Sequence, residues 1–317
     1  MNFKVLSTGS CVPEKIVGND FMEKIVETSD EWITQRVGVK QRRICTTESL
    51  AELAAKAAEN ALNQAGVRAG ELDLIIASTV SPERMCPTLA GDVQRRIGAS
   101  CPAFDINSAC SGFIFALETA ASYFSRGKVS KVLVIGGEKI SRYLDWTDRN
   151  TCVIFGDGAG AFLLGKGENY LESLLHTAGE DEVIEIPNKP VKTPFYEEIH
   201  EHPFIKMKGQ ETFKFAVKTM TDDVLKVIER SGYTVNDIDH VIPHQANIRI
   251  IQLAAKRLGI PMEKFFVNID KYGNTSSASI PLAADELNRA GGLKEGDLVV
   301  LTAFGGGLSS GVCLLRW

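Results

Sequence analysis

The chain carries the same punctuation twice, in the same order. An alanine-rich helical pattern from Ser49 to Ala65 closes at Gly66, and seven residues later Asp73 opens the apolar run Leu74-Ile75-Ile76-Ala77-Ser78. A second helical pattern, Asp222 to Arg230, closes at Gly232, and again seven residues later Asp239 opens His240-Val241-Ile242-Pro243-His244, which sets His244 opposite Ser78. The pattern continues: Lys256-Arg257-Leu258-Gly259 answers Arg95-Arg96-Ile97-Gly98, and Asp297-Leu298-Val299-Val300-Leu301 answers Lys131-Val132-Leu133-Val134-Ile135. Near the end, Ser310 to Leu315 answers Gly158 to Leu163. Glycine-ended helices before apolar strands are common in any α/β protein, so each match alone says little. Together they predict two homologous βα-rich halves, 1–170 and 171–317, packed as one layered α/β/α/β/α unit. The polar, aperiodic stretch from Gly179 to Pro203 reads as the joint between them.

The strand runs are continuously apolar, as in a sheet covered on both faces. Other expected elements are an opening strand over 3–9, a turn at Pro13-Glu14, and a helix capped at Ser29-Asp30-Glu31. A helix from Ala90 to Ile97 ends at Gly98. A net charge of -5 argues against nucleic acid as the main partner, because phosphate neutralisation needs a cationic surface. No apolar run approaches membrane-spanning length, and Met-Asn-Phe-Lys-Val-Leu-Ser-Thr-Gly lacks the apolar core of a secretory signal. The seven cysteines are odd in number and lack C-x-x-C spacing, so reduced thiols in a cytoplasmic setting are expected. Neither they nor the five histidines cluster at metal-ligand spacing.

Chemistry concentrates at Phe104-Asp105-Ile106-Asn107-Ser108-Ala109-Cys110-Ser111-Gly112-Phe113, a short strand, a turn of small residues and the start of a helix. A thiol at a helix N-terminus faces unpaired N–H groups and the positive end of the dipole, which favour the thiolate. The alternative is a small buried hydrophobe. A pseudo-dyad relating the halves would bring strand ends together. Cys110 would then meet Pro243-His244-Gln245-Ala246-Asn247, the polar turn Tyr272 to Ser279, and the glycine turn Phe304-Gly305-Gly306-Gly307-Leu308. A nucleophilic cysteine needs proton handling and donors for an oxyanion. His244, Asn274 and a glycine turn can supply them.

Six motifs, taken together and in order, resemble β-ketoacyl-acyl-carrier-protein synthase III, a condensing enzyme of the thiolase-fold superfamily. They are Ser29-Asp30-Glu31-Trp32-Ile33, the Cys110 elbow, Phe155-Gly156-Asp157-Gly158-Ala159-Gly160-Ala161, His244-Gln245-Ala246-Asn247, Gly273-Asn274-Thr275-Ser276 and Ala303-Phe304-Gly305-Gly306-Gly307. The resemblance implies a five-layered αβαβα fold and a decarboxylative condensation of an acyl-CoA with malonyl-acyl-carrier protein. It makes Cys110 the acyl carrier, His244 and Asn274 the donors to the malonyl thioester, and the N–H groups of Cys110 and Gly306 the oxyanion site. It implies a CoA mouth at Thr28, Trp32, Arg36, Arg149, Met207, Gly209, Phe213 and Asn247, with an aromatic face and a guanidinium flanking adenine. No metal or redox cofactor is implied, because CoA enters as a substrate thioester. A homodimer is implied as well.

Lys214, Arg249, Lys256 and Arg257 would form a basic patch for the acidic carrier protein, although an ordinary solvated helix face reads the same way. Cys86, before Pro87, falls where the family builds its acyl-pocket wall, in part across the dimer. Leu308-Ser309-Ser310-Gly311 departs from the threonine-tryptophan pair common there, a change expected to touch loop packing. His176, His200 and His202 read as surface residues and His240 as structural.

Competing readings are a degradative thiolase, which would want a second cysteine between Phe304 and Gly311, and a type III polyketide synthase, whose chains are longer. Ester- or amide-forming relatives use the same trio. A papain-like peptidase shares the order Cys…His…Asn but not the local signature. A non-catalytic scaffold would not need the trio.

Overall fold

A computed structural model describes residues 2–180, 182–188, 191–198 and 203–317. In the first half the main elements are β1 (Asn2–Cys11), α1 (Asp30–Arg36), α2 (Leu50–Ala65), β2 (Leu74–Ser78), α3 (Leu89–Ile97), β3 (Ala103–Ile106), α4 (Gly112–Ser125), β4 (Lys131–Lys139) and β5 (Asp157–Gly167). The second half adds β6 (Tyr170–Glu180), α5 (Gly209–Arg230), β7 (His240–Pro243), α6 (Ile248–Leu258), α7 (Ser279–Arg289), β8 (Leu298–Gly305) and β9 (Gly307–Arg316).

The two sheets follow one plan. The first runs β1-β5-β4-β2-β3 and the second β6-β9-β8-β7, with a parallel bridge from Val241 to Phe265 where the first has β3. β2 lies parallel to β3 and β4, as β7 does to β8, while β1 and β6 are antiparallel edges. The punctuation has a physical basis. Ser49 and Glu52 form a reciprocal capping box, and Gly66, Gly98 and Gly259 close α2, α3 and α6 in left-handed conformation. The Asp73 carboxylate accepts from the backbone N–H groups of Ser130 and Lys131, and that of Asp239 accepts from the N–H of Leu298. In each half the acid that opens the strand pins the start of its neighbour.

These bonds correct the expected register by one residue, because Leu298, not Asp297, answers Lys131. Val299 and Leu301 accordingly share the central core with Val132 and Val134. A one-residue slip exchanges the faces of a strand, and a strand apolar on both faces gives the pattern nothing to choose by.

The core divides into layers. Helices α2 and α3 cover the outer face of the first sheet, α4 and α7 fill the space between the sheets, and α5 and α6 cover the second sheet. This is the expected five-layered αβαβα arrangement. The joint is elsewhere than expected: β5 passes to β6 through Glu168 and Asn169 alone, so Gly179–Pro203 is an excursion within the second half. Close-packed halves need only a tight turn, and loop composition marks an excursion equally well. Helix α5 also starts thirteen residues before Asp222, because Phe213, Ala216, Val217, Met220 and Val224 continue its apolar stripe. Among the described residues no helix is long and apolar enough to cross a membrane.

Candidate active site

Cys110 sits in a single 3-10 turn, Ala109–Ser111, between β3 and α4. Ala109 adopts φ 46°, a left-handed value unusual outside glycine, which turns the chain sharply just before the cysteine. A Cβ on Gly305 would lie 2.6 Å from the Cys110 nitrogen, so only glycine lets the turn after β8 press against the elbow. Ser309 ties the two together: its hydroxyl bonds that of Ser111 at 2.9 Å and donates to the Ser108 carbonyl at 3.2 Å. Ser309, in the stretch that departs from the family's pattern, therefore packs the glycine turn against the elbow. Its neighbour Ser310 donates to Asp223 at 3.0 Å.

The helix terminus does not dominate the thiol. Burial pushes Cys110 up to about 12 and the field of Glu138 acts in the same direction, against the Ser276 hydroxyl and the cysteine's own amide. The resting nucleophile is a thiol, contrary to the expected thiolate.

His244 follows β7, its N–H bonded to the Thr302 carbonyl at 2.7 Å. Its Nδ1 lies 2.6 Å from Ser279 Oγ, and Phe304 meets the ring edge-to-face at 5.4 Å. Burial pushes the imidazole down to about 3. A neutral imidazole that accepts from the serine at Nδ1 carries its proton on Nε2, the tautomer that can donate into the cavity. Release of carbon dioxide from the malonyl thioester is thus expected to show no histidine ionisation between about pH 5 and 8. An imidazole titrating by NMR near the ordinary 6.5 would contradict this. The linkage runs the same way: below 6.5 the unfolded histidine binds protons the folded one does not, so stability falls as pH drops towards 3.

Asn274 is placed by a backbone bridge to Phe155, with Gly156 N–H donating to its carbonyl at 3.0 Å. A Cβ on Gly156 would sit 2.2 Å from the Tyr272 carbonyl, which explains the first glycine of Phe155-Gly156-Asp157-Gly158. The side-chain Oδ1 accepts from Ser276 N–H at 2.8 Å, which fixes the amide and leaves its N–H groups to face the cavity.

One cavity of about 650 Å³ gathers Cys110, His244, Asn274 and Gly306 with Trp32, Arg36, Met207, Gly209, Phe213 and Asn247. Its walls are apolar: Ile140, Ile154, Phe155, Ile205 and Phe304, with Ile184 and Ile186 from the excursion read as a joint. Other expected mouth residues stand outside it. Arg149 donates to the Glu27 carbonyl and stacks on Trp32 with its guanidinium carbon 5.2 Å from the ring centre. A purine between two such planes needs about 7 Å, twice the contact distance. The pair therefore makes the expected slot only after Arg149 swings aside. Thr28 is off the cavity, its hydroxyl enclosed without a partner. Asn247 lines it, but both ends of its amide are engaged, donating to Arg36 O and accepting from Arg249 N–H, so it works as the cap of α6.

Lys214, Arg249, Lys256 and Arg257 are exposed, and Arg249 reaches over Phe213 at the cavity rim. Cys86 is exposed and lines no part of this cavity, so within one chain it is no pocket wall. His176 is exposed and His240 pairs with Asp297 at 3.3 Å, while His200 and His202 lie outside the described residues. The sequence carried no signal for Glu138, whose partners Ser81 and Ser277 lie 57 and 139 positions away, while Ser276, Ser279 and Ser309 stand in stretches it singled out without giving them roles of their own. Among the described residues no cluster of histidine, cysteine and carboxylate could hold a metal.

Two duplicated sheets, with a thiol from one half facing two neutral donors from the other, define a condensing enzyme of the thiolase fold. The family model for 3-oxoacyl-[acyl-carrier-protein] synthase III matches residues 104–179, and that for its C-terminal part matches 228–317. The β-ketoacyl-[acyl-carrier-protein] synthase III of Clostridium acetobutylicum is 49% identical over 319 residues, 99% of this chain and 98% of that protein. The crystal structure of 3-oxoacyl-[acyl-carrier-protein] synthase III from Aquifex aeolicus superposes with a TM-score of 0.94 at 45% identity, covering 99% of this chain and 100% of that one. The corresponding structure from Thermus thermophilus gives 0.93 at 40%, covering 99% and 98%. The chain belongs to the β-ketoacyl-acyl-carrier-protein synthase III family, the initiating condensing enzymes of fatty-acid synthesis.

Proposed function

We propose that this chain condenses an acyl-CoA primer with malonyl-acyl-carrier protein, using Cys110, His244 and Asn274 in the roles that their geometry suits. The Cys110 sulfur attacks the primer thioester, and the thiol proton leaves with the departing sulfur as free CoA. Backbone N–H groups of Cys110 and Gly306 face the oxyanion of that step. Malonyl-acyl-carrier protein then enters the same mouth. As its carboxylate leaves as carbon dioxide, the electron pair moves onto the thioester oxygen, towards His244 Nε2–H and the Asn274 amide. The enolate carbon attacks the acyl thioester, the Cys110 thiolate is expelled and takes up a proton, and 3-oxoacyl-carrier protein departs. Loss of carbon dioxide drives carbon–carbon bond formation, so the chemistry asks nothing of a metal or redox cofactor.

The observation carrying this reading is the pair opposite the thiol: the Asn274 amide is held donor-first by Ser276 N–H, and burial disfavours the protonated form of His244. Both halves, 1–170 and 171–317, contribute to one catalytic unit. The seven unpaired cysteines suit a reducing, cytoplasmic setting. Cys86 would meet a primer only across a homodimer. Intact-protein mass after exposure to acetyl-, isobutyryl- and hexanoyl-CoA tests the priming half: one acyl adduct that Cys110→Ala lacks is expected, and no adduct with any of them rejects the reading. Branched or six-carbon adducts would support a roomy pocket beside Cys86, and strict acetyl use would reject it.

The carrier protein is acidic, and exposed Arg249 flanks the rim beside Phe213. Arg249→Glu is expected to lower kcat/KM for malonyl-acyl-carrier protein about tenfold, most of it in association, while leaving acyl-CoA priming intact. Equal loss in both half-reactions would remove the patch from carrier recognition.

A further inference from the structure

Glu138, near the end of β4, is fully buried, and none of its hydrogen-bond partners is a cation. A carboxylate is costly to bury in this way unless neutral donors satisfy it. Its two oxygens serve different halves of the chain. Oε1 accepts from Ser277 Oγ at 2.7 Å and Ser276 Oγ at 3.2 Å, on the loop that follows Asn274. Oε2 accepts from Ser81 Oγ at 2.5 Å and Thr79 Oγ1 at 3.2 Å, on the loop after β2, and Val80 N–H reaches both oxygens.

The loop held by Oε1 needs holding. Ser276 has φ 49°, a left-handed value that costs a side-chain-bearing residue about 1 kcal/mol or more. Its N–H is the donor that orients the Asn274 amide. Turned over, that amide would present its carbonyl oxygen to the developing enolate, a repulsion in place of a hydrogen bond.

We propose that Glu138 is a positioning residue for the condensation step, its carboxylate setting Ser276 and Ser277 so that Asn274 keeps its N–H groups towards the malonyl thioester. Burial pushes the Glu138 carboxyl towards its neutral form, against the Ser81, Ser276 and Ser277 hydroxyls and the Val80 N–H that hold it. The loop it sets serves the condensation step alone, so Cys110 reactivity should be spared, whereas a generally structural residue would disturb both half-reactions. This inference rests on the reading that Asn274 stabilises the enolate, so Asn274→Ala is run in parallel.

Glu138→Gln is isosteric but replaces one acceptor with a donor. Carbon dioxide release from malonyl-acyl-carrier protein should fall about tenfold in kcat with KM unchanged, the effect of one hydrogen bond to a charged group. The rate of Cys110 alkylation by iodoacetamide at pH 7 should stay near that of the wild type. Ser277→Ala, which removes the shorter of the two hydroxyl bonds to Oε1, should slow carbon dioxide release and likewise leave alkylation at the wild-type rate. Unchanged carbon dioxide release in Glu138→Gln, or a parallel fall of both readouts, overturns the proposal. If that variant does not fold, Ser277→Ala decides alone, and wild-type carbon dioxide release in it is equally fatal. Wild-type release in Asn274→Ala would instead remove the underlying reading, and the inference with it.

Discussion

Cys110→Ala should keep its unmodified mass after incubation with any acyl-CoA, and overall condensation should fall by on the order of 10⁴-fold or more, as when a covalent nucleophile is removed. The variant should still release carbon dioxide from malonyl-acyl-carrier protein, because His244 and Asn274 hang from the second half and need no bond to the thiol. Folding should survive: the small residues of the elbow are held by Ser111, Ser309 and the Ser108 carbonyl, none of which involves the sulfur. Acylation of Cys110→Ala at wild-type stoichiometry would place the nucleophile elsewhere. The other six cysteines are poor substitutes, since none of them lines the cavity.

Asn274→Ala removes one of two donors to the enolate oxygen and should cost 10²–10³-fold, to order of magnitude, in carbon dioxide release. Cys110 acylation by acetyl-CoA should change by only a few-fold, because the oxyanion of that step faces backbone N–H groups. Measuring the half-reactions separately checks the division: equal losses would assign Asn274 to both oxyanions or to neither. The predicted size follows from the site's preorganisation. The amide is held by Ser276 N–H, and the loop behind it by Glu138. Phe155, Ile154 and Phe304 line the same cavity with apolar surface.

The thiol and the histidine are tuned by the same force. Burial lifts the Cys110 pKa to about 12 and depresses that of His244 to about 3, so both groups rest neutral. A helix N-terminus acts through a partial charge over one turn, whereas removal from water acts on the whole ionised form. The expected thiolate was an inference from a local motif, and local motifs carry no information on how deep a turn will lie. An acyl-CoA that fills the cavity meets a nucleophile whose proton can pass to the leaving sulfur, and the malonyl thioester then meets donors that are not themselves charged.

Much was legible beforehand because it is local or periodic. Gly66, Gly98 and Gly259 mark helix ends since only a left-handed residue completes the cap, and Asp73 and Asp239 mark strand starts since each carboxylate ties down a neighbouring strand. Repetition of those marks implied two equal halves, and two equal sheets imply a meeting of strand ends. Cys110, His244 and Asn274 followed as a set.

What remained invisible is what depends on packing across the dyad. The register of β8 could not be chosen from a strand apolar on both faces, and the stretch from Gly179 to Pro203 could not be distinguished from a linker by composition. Nothing in the sequence marks Glu138, which the fold buries between Ser81 and Ser277, residues 57 and 139 positions away. By itself, then, the sequence determined the halves, the helix ends and the identity of the reacting trio, because backbone geometry and side-chain periodicity act over a few residues. The tertiary structure alone decided which strand faces point inward, which protonation states the trio holds and which serines orient it. Those properties come from desolvation and contacts between distant segments, and neither exists until the chain is packed.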